Sequence, residues 1–259
     1  MSNQDIITLI TVNLSIFLLI APATAQLESP VQESSTGLFS GVINQLSSFL
    51  TRDSGNLITG QFAGGDGSSS NPYQISTCQE LQDMQNDLSA HYELVNDVDC
   101  SGFSGFSSVG EYGNEFNGVL DGQGYEVQKL EINEGSSDSV GLIGSLENST
   151  EEGVIGEVKN IGVVNADITG SWDVGGLIGS NEKGSVSNSY STGSVSGSSY
   201  VGGLIGANDR GSVSNSYSTG SVSGDSTVGG LIGGNLGSVS NSYSTGTVSG
   251  SSYVGGLIG

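Results

Sequence analysis

The chain has 259 residues, of which 43 are glycine, 3 are proline and only 34% are hydrophobic. The glycines do not recur at every third position, which excludes a collagen helix, and so few apolar residues form a core only if they are placed regularly. The 27 acidic residues against 5 basic ones give a net charge of -22, which repels nucleic acid and anionic lipid headgroups and excludes both as partners.

Such an acidic chain has two explanations. The carboxylates solvate a protein in concentrated salt, where screening removes their mutual repulsion, or they gather divalent cations. The acidic residues are scattered along the chain rather than clustered at the spacing of cation ligands. This scatter favours adaptation to salt, and we expect no metal and no cofactor.

Residues 1–25 predict a signal peptide. An apolar stretch ends in Ala-Thr-Ala, the small-residue pattern suited to cleavage after Ala25. Because no basic residue precedes this stretch, an uncleaved membrane anchor is the alternative. In either case we expect the remainder outside the cytoplasm, in the extracellular space or on the cell surface.

Residues 26–70 predict an amphipathic helix and a Gly/Ser-rich linker. Apolar residues between positions 37 and 55 recur at spacings of three and four, as on one face of a helix. Such a helix covers the open end of the following domain or lies on a membrane surface, and the missing basic face makes the second option weaker.

Residues 71–139 predict the N-terminal coils of the domain. Thr77 with Glu80 three residues later forms a capping box for a short helix, and the stretch HYELVNDVD from His91 alternates as a single strand. Cys78 opens the helix and Cys100 closes the strand. Outside the cytoplasm we expect a disulfide between these cysteines, with two buried free thiols as the alternative.

Residues 140–259 are repetitive. The segment VGGLIG begins at Val174, Val201, Val228 and Val254, in steps of 27, 27 and 26 residues, after a degenerate copy at 139–144. A fixed period in this range is typical of a solenoid. We therefore predict an all-β fold, a parallel β-helix or β-solenoid with three short strands in each rung and a short helical element before it.

Stacked rungs bring identical residues together in ladders. In the stretch GSVSNSYSTG, valine, asparagine and tyrosine alternate with serines, so we predict one packed and one hydroxylated side of a strand. The predicted ladders are aliphatic (Val186, Val213 and Val239), amide (Asn188, Asn215 and Asn241) and aromatic (Tyr190, Tyr217 and Tyr243). The alternative for the asparagines is an exposed turn, and their place in an alternating strand argues against it.

The repeated GGLIG, preceded by valine and followed by SNEKG, ANDRG or GNLG, resembles the GLUG motif. The resemblance implies a structural unit that occurs in tandem in surface proteins of bacteria and archaea, including some large peptidases. It transfers no catalytic residue to this chain.

Few residues are candidates for catalysis or modification. His91 is the single histidine of the sequence, whereas a zinc site of the H-E-x-x-H type needs two. The carboxylates of Asp97, Asp99 and Asp121 are candidates for polysaccharide cleavage, and the alternative places them in solvent and in an Asp-Gly turn. Asn148 in Asn-Ser-Thr is either a glycosylation acceptor or a chance sequence in a chain rich in asparagine and serine.

We therefore predict a non-enzymatic, exported repeat protein that acts as a cell-surface adhesive or structural spacer. Its partners would be surface glycans or other cell-surface proteins, bound through many weak contacts. Two alternatives are the N-terminal part of a larger secreted peptidase or polysaccharide-degrading enzyme, and a self-assembling fibre subunit. The final unit stops at Gly259 without a polar cap, which favours a truncated array or an end that pairs with another copy.

Overall fold

A computed structural model describes residues 62–148 and 156–259. The predicted signal peptide and the predicted amphipathic helix lie outside the described residues, as do Ser149 and Thr150 of the glycosylation sequence, whereas the predicted linker is described from Phe62 onwards. Within the described ranges, no helix is both long and apolar enough to cross a lipid bilayer.

The described residues form one short α-helix, one 3-10 helix and a succession of short strands. The helix α1 covers Cys78–Asp83 and the 3-10 helix covers Met84–Asn86. In the first part of the chain the strands are β1 (Tyr73–Ile75), β2 (His91–Leu94), β3 (Val98–Asp99), β4 (Val119–Asp121), β5 (Glu126–Gln128), β6 (Glu131–Asn133), β7 (Ile143–Glu147), β8 (Glu157–Lys159) and β9 (Gly162–Thr169). They continue with β10 (Trp172–Gly175), β11 (Ile178–Glu182), β12 (Ser185–Ser187), β13 (Tyr190–Ser196), β14 (Ser199–Gly202), β15 (Ile205–Asp209), β16 (Ser212–Ser214) and β17 (Tyr217–Ser218). The last are β18 (Ser221–Ser223), β19 (Ser226–Gly229), β20 (Ile232–Asn235), β21 (Ser238–Ser240), β22 (Tyr243–Ser244), β23 (Val248–Ser249) and β24 (Ser252–Gly255).

These strands build four parallel sheets that run along one axis. The longest unbroken path orders seven strands as β1-β2-β4-β8-β12-β16-β21, and β10-β14-β19-β24 form another sheet. Each strand pairs with its equivalent in the next coil, so that Val186 lies between Val158 and Val213. The predicted β-solenoid with rungs of about 27 residues is thereby confirmed.

The prediction of three strands in each rung is wrong, because the repeated motif is not one strand. In the rung that covers residues 197–223, the motif is divided between β14 and β15, and the rung holds five strands. The double glycine forms the corner. A Cβ atom on Gly202 would lie 1.9 Å from the carbonyl oxygen of Ile205, and one on Gly203 would lie 2.4 Å from the carbonyl oxygen of Gly230. Only glycine fits where the backbone approaches this closely.

Ladders of aliphatic side chains fill the interior of the repetitive coils. Buried rows are formed by Val174, Val201 and Val228, by Leu177, Leu204 and Leu231, and by Ile178, Ile205 and Ile232. One rung contributes too few apolar residues to form a core by itself, so each rung is stabilised by burying its side chains against the next.

The N-terminal coils use a more varied core. The capping box is present, since Glu80 N donates to the Thr77 hydroxyl at 3.3 Å and Thr77 N donates to the Glu80 carboxylate at 2.9 Å. The rings of Tyr73, Tyr92 and Phe116 form a buried aromatic row with centroids 5.6 and 6.2 Å apart. The single strand predicted from His91 onwards is instead β2 and β3, which belong to different sheets.

The cysteines of this region are joined. Cys78, the first residue of α1, forms a disulfide with Cys100, which directly follows β3. Both cysteines are buried in the core. The covalent link thus ties the helix to the coil on which it packs.

Candidate functional site

The outer surface of the repeats carries a row of tyrosines. The rings of Tyr190 and Tyr217 are parallel with centroids 4.8 Å apart, and those of Tyr217 and Tyr243 follow at 5.0 Å. These spacings equal the distance between neighbouring strands of a sheet. The Tyr190 hydroxyl donates to Glu126 at 2.5 Å, and burial together with this carboxylate raises the pKa of Tyr190.

The tyrosines face outwards because the chain turns before them. Asn188, Asn215 and Asn241 have φ angles of 49°, 50° and 49° and occupy a corner between two strands. The corner reverses the alternation of side chains, so that Ser189 and Ser191 are buried whereas Tyr190 between them is only partly buried. The prediction of a single strand with valine, asparagine and tyrosine on its packed side is therefore wrong, although the Val186, Val213 and Val239 row does lie in register towards the interior.

The predicted amide ladder is corrected in the same way. Asn188, Asn215 and Asn241 are exposed corner residues, which was the alternative interpretation. Asn188 donates to the Asn160 amide oxygen of the preceding coil at 3.1 Å. Asparagine suits these positions because it tolerates the left-handed backbone conformation better than most residues.

A different set of asparagines forms the buried ladder. Asn181 donates to Asn208 at 2.8 Å, and Asn208 donates to Asn235 at 2.7 Å. Asn181 and Asn208 are almost fully buried, and each also lies 3.4 Å from the carbonyl oxygen of the glycine three residues later. The signal in the sequence was their recurrence every 27 residues, each two positions after the end of a GGLIG motif.

A row of carboxylates follows the asparagine ladder. Glu182 pairs in register with Glu147, and Asp209 stands one residue after Asn208 in the next rung. Lys183 lies 3.9 Å from Glu147, and the Arg210 guanidinium contacts Asp209 at 2.7 Å. Burial and the neighbouring carboxylates, Glu147 first, raise the pKa of Glu182. Lys183 and Arg210, two of the five basic residues of the chain, therefore pair with carboxylates of this row.

A second acidic position lies where the N-terminal coils meet the first full repeat. Asp173 occupies the corner row that continues with Tyr200 and Thr227, all with φ between 44° and 53°. Burial and the carboxylates of Asp138 and Glu182 raise the pKa of Asp173 to about 6. Next to this corner, Trp172 is 51% exposed and its ring centroid lies 6.1 Å from that of Tyr200.

The carboxylates considered for catalysis have structural contacts. Asp97 accepts from Glu126 N at 3.0 Å, and Asp121 accepts from Gln123 N at 2.9 Å. Asp99 accepts from Ser101 N at 2.9 Å and pairs with Lys129 at 3.3 Å; the Ser101 hydrogen bonds are the main cause of the lowered pKa of Asp99. The three residues thus cap turns and bridge coils. Over residues 62–148 and 156–259, no three acidic, histidine or cysteine side chains converge as metal ligands would.

Comparison with known proteins identifies the repeats. A family model of the GLUG motif matches residues 170–196, 197–223 and 224–249, so the chain carries GLUG repeats, as the sequence predicted. The chain is 36% identical over 157 residues to Halomucin of Haloquadratum walsbyi, and it is 33% identical over 130 residues to a candidate Gly-rich membrane protein of Evansella cellulosilytica. These matches cover 56% and 46% of this chain but only 2% and 14% of the two relatives.

A solved structure shares the fold. The crystal structure of a candidate immunoglobulin A1 protease from Bacteroides ovatus superposes with a TM-score of 0.64 and 24% sequence identity. The match covers 77% of this chain and 65% of that one. At this identity the similarity shows the β-helical architecture and carries no activity across.

Proposed function

We propose that the chain is a non-enzymatic, exported surface protein whose GLUG repeats act as an adhesive rod and spacer. The observation that carries the proposal is the in-register stacking of identical rungs, which presents the same outward side chains at each step. Weak contacts to a glycan or to another surface protein then add up along the rod. The names of the two relatives, a halomucin and a membrane protein, support a location at the cell surface.

The outward rows offer the chemistry that such contacts need. Ser194, Ser221 and Thr247 form one exposed row of hydroxyl groups, and Tyr190, Tyr217 and Tyr243 form a second row with ring edges and phenol groups. Hydroxyl groups both donate and accept hydrogen bonds, and tyrosine combines an apolar ring with a polar tip. Asp97, Asp99 and Asp121, the carboxylates considered for polysaccharide cleavage, make hydrogen bonds to backbone N–H groups of turns and of a neighbouring coil.

The test is to change the number of rungs without changing their structure. Deleting residues 197–223 joins Ser196 to Gly224, the same junction that the sequence has between Ser223 and Gly224. We expect beads that carry the full chain to retain cell envelopes. Beads that carry the deletion variant should retain about two- to tenfold less. Equal retention of both proteins, or none at all, contradicts the adhesive role.

We also propose that the protein works in concentrated salt. A net charge of -22 opposes folding by self-repulsion, and raising the salt from about 0.1 to about 1 M shortens the Debye length from about 10 to about 3 Å. The midpoint of thermal unfolding should therefore rise steeply over this range. A midpoint that does not depend on sodium chloride rules the proposal out.

A further inference from the structure

A groove lies in the N-terminal coils, in a part of the chain that the repeat rows do not include. Its larger compartment, of about 620 Å³, is lined by Gln85, Glu111, Tyr112, Glu134 and Asp138 together with neighbouring serines. A smaller compartment of about 210 Å³ is lined by Phe103, Glu131 and Asn133. The two compartments adjoin, because Ser107 and Glu134 line both of them.

One wall of the groove is fixed by the helical segment. The Gln82 side chain donates to the Ser107 carbonyl oxygen at 3.1 Å and accepts from Ser107 N at 2.7 Å. One turn later, the Gln85 side chain donates to the Ser108 carbonyl oxygen and accepts from Gly110 N at 3.3 Å. The backbone from residue 107 to residue 110 is thereby clamped, so the groove is formed before any ligand arrives.

Glu134 is positioned in the groove by a buried hydroxyl group. Ser108 donates to the Glu134 carboxylate at 3.0 Å and accepts from Gly141 N at 3.3 Å. A carboxylate offers about four acceptor sites, so the contact with Ser108 orients the group and leaves acceptor capacity for hydroxyl groups of a ligand. Such charge-assisted hydrogen bonds are stronger than those between neutral groups.

Each compartment is lined by an aromatic ring. Glu111 and Asn114 exchange two backbone hydrogen bonds of 3.0 and 2.9 Å, and this tight turn carries Tyr112 at its tip, 80% exposed. The ring of Phe103 lines the smaller compartment and packs edge-on against Phe106, with centroids 6.1 Å apart. A ring presents an electron-rich face, which attracts the polarised C–H groups on one side of a sugar.

We propose that this groove binds an uncharged oligosaccharide of about two or three sugar units, a size that matches the usual volume of ligand pockets. None of the residues that line the two compartments is lysine or arginine, and the carboxylates repel anionic ligands. Hydroxyl groups would donate to Glu134 and its acidic neighbours while Tyr112 covers an apolar sugar face. The site is distinct from the outward rows of the repeats, so it goes beyond the role proposed for them.

The experiment titrates the full chain with neutral cello-, malto-, xylo- and manno-oligosaccharides, using calorimetry and amide chemical shifts. We expect saturable binding of at least one of them, with shifts confined to the groove. Tyr112→Ala should weaken this binding by at least about tenfold, whereas Tyr125→Ala, which removes an exposed tyrosine outside the groove, should not change it. Glu134→Gln keeps the shape of the side chain and should weaken binding by about tenfold as well.

The controls separate this proposal from the role of the repeats. Deletion of residues 197–223 should leave the affinity for the oligosaccharide unchanged even if it abolishes retention on cell envelopes. The proposal is overturned if none of the neutral sugars binds, if Tyr112→Ala binds as the wild type does, or if tetragalacturonate binds better than the neutral sugars. Binding of calcium ions alone that Glu134→Gln removes, without sugar binding, would instead identify a cation site.

Discussion

The N-terminal coils (residues 62–148) and the coils that contain the GLUG repeats (residues 156–259, here the GLUG coils) share sheets but are stabilised differently. The GLUG coils repeat one set of side chains, and their core is a stack of identical valine, leucine and isoleucine rows. The N-terminal coils have a capped helix, a disulfide and a buried aromatic row instead. Repetition produces uniform faces, whereas variation from coil to coil allows a groove with its own shape.

The largest effect is expected from a glycine in the GLUG coils. In Gly202→Ala the new Cβ would lie 1.9 Å from the Ile205 carbonyl oxygen and 2.6 Å from Gly233 N, both of them backbone atoms. We expect the free energy of unfolding to fall by more than about 3 kcal/mol, measured by chemical denaturation. Gly135→Ala in the N-terminal coils is the control, since an added Cβ there has no described atom within 4 Å. Similar losses for the two variants would show that close approach is not what requires glycine in the motif.

The disulfide tests the other region. Replacing both cysteines by alanine, Cys78→Ala with Cys100→Ala, releases a link between residues 22 positions apart, and we expect a loss of about 3 kcal/mol. Hydrogen exchange should accelerate in α1 and the strands around it more than in β14 to β24. If exchange accelerates equally throughout the chain, the two regions unfold as one unit and do not differ in local stability.

Asparagine occurs both at the corner and in the interior of a GLUG rung, with a different role at each place. Asn208→Ala removes a buried amide that bonds to two others, which leaves the Asn181 amide nitrogen and the Asn235 amide oxygen with one long contact of 3.4 Å each, and we expect a loss of about 2 kcal/mol. Asn215→Ala acts at an exposed corner, where the left-handed backbone is the main cost, and should lose about 1 kcal/mol. The two midpoints of denaturation give the comparison directly. A larger loss for Asn215→Ala would restore the corner asparagines as the main amide ladder.

The sequence predicted more about the GLUG coils than about the N-terminal coils. The period of VGGLIG was enough to predict parallel, in-register coils, because identical residues one period apart must meet wherever the strands begin and end. The period could not predict which way the side chains of Asn188 and Tyr190 point, because one corner residue with a left-handed backbone reverses which side chains face the interior. Asn181 and its equivalents were not among the predicted ladders, although their recurrence was visible.

The N-terminal groove was hidden from sequence analysis for a different reason. It brings together Gln85, Ser108 and Glu134, which are separated by more than 20 residues from one another, in coils that have no repeat to align them. The capping box of Thr77 was predictable because it is local, and the disulfide was predictable because the chain has only two cysteines, although they lie 22 residues apart. A polar groove depends on which coils are neighbours, and that information comes only with the fold.

The smallest expected effect lies at the junction of the two regions, where Asp138 of the N-terminal coils approaches Asp173 of the first repeat. The pKa of Asp173 is raised to about 6, whereas an unfolded aspartate titrates near 3.9. Between about pH 4 and pH 6 the folded protein therefore binds a proton that the unfolded chain has lost. Stability from this group is fully present below about pH 4 and is lost as the pH rises through about 6. The difference of about two pKa units corresponds to at most about 3 kcal/mol, and solvent screening at this half-buried side chain reduces the expected loss to about 1 kcal/mol.

Asp173→Asn removes this titration while keeping a residue that tolerates the corner, where φ is 44°. Other carboxylates also titrate below pH 6, so the quantity to measure is the difference in free energy of unfolding between variant and wild type. We expect this difference to grow in favour of the variant as the pH rises from about 4 to about 7. A difference that is constant with pH would mean that the repulsion between Asp138 and Asp173 is relieved in solution, and that the junction imposes no electrostatic cost on joining the two kinds of coil.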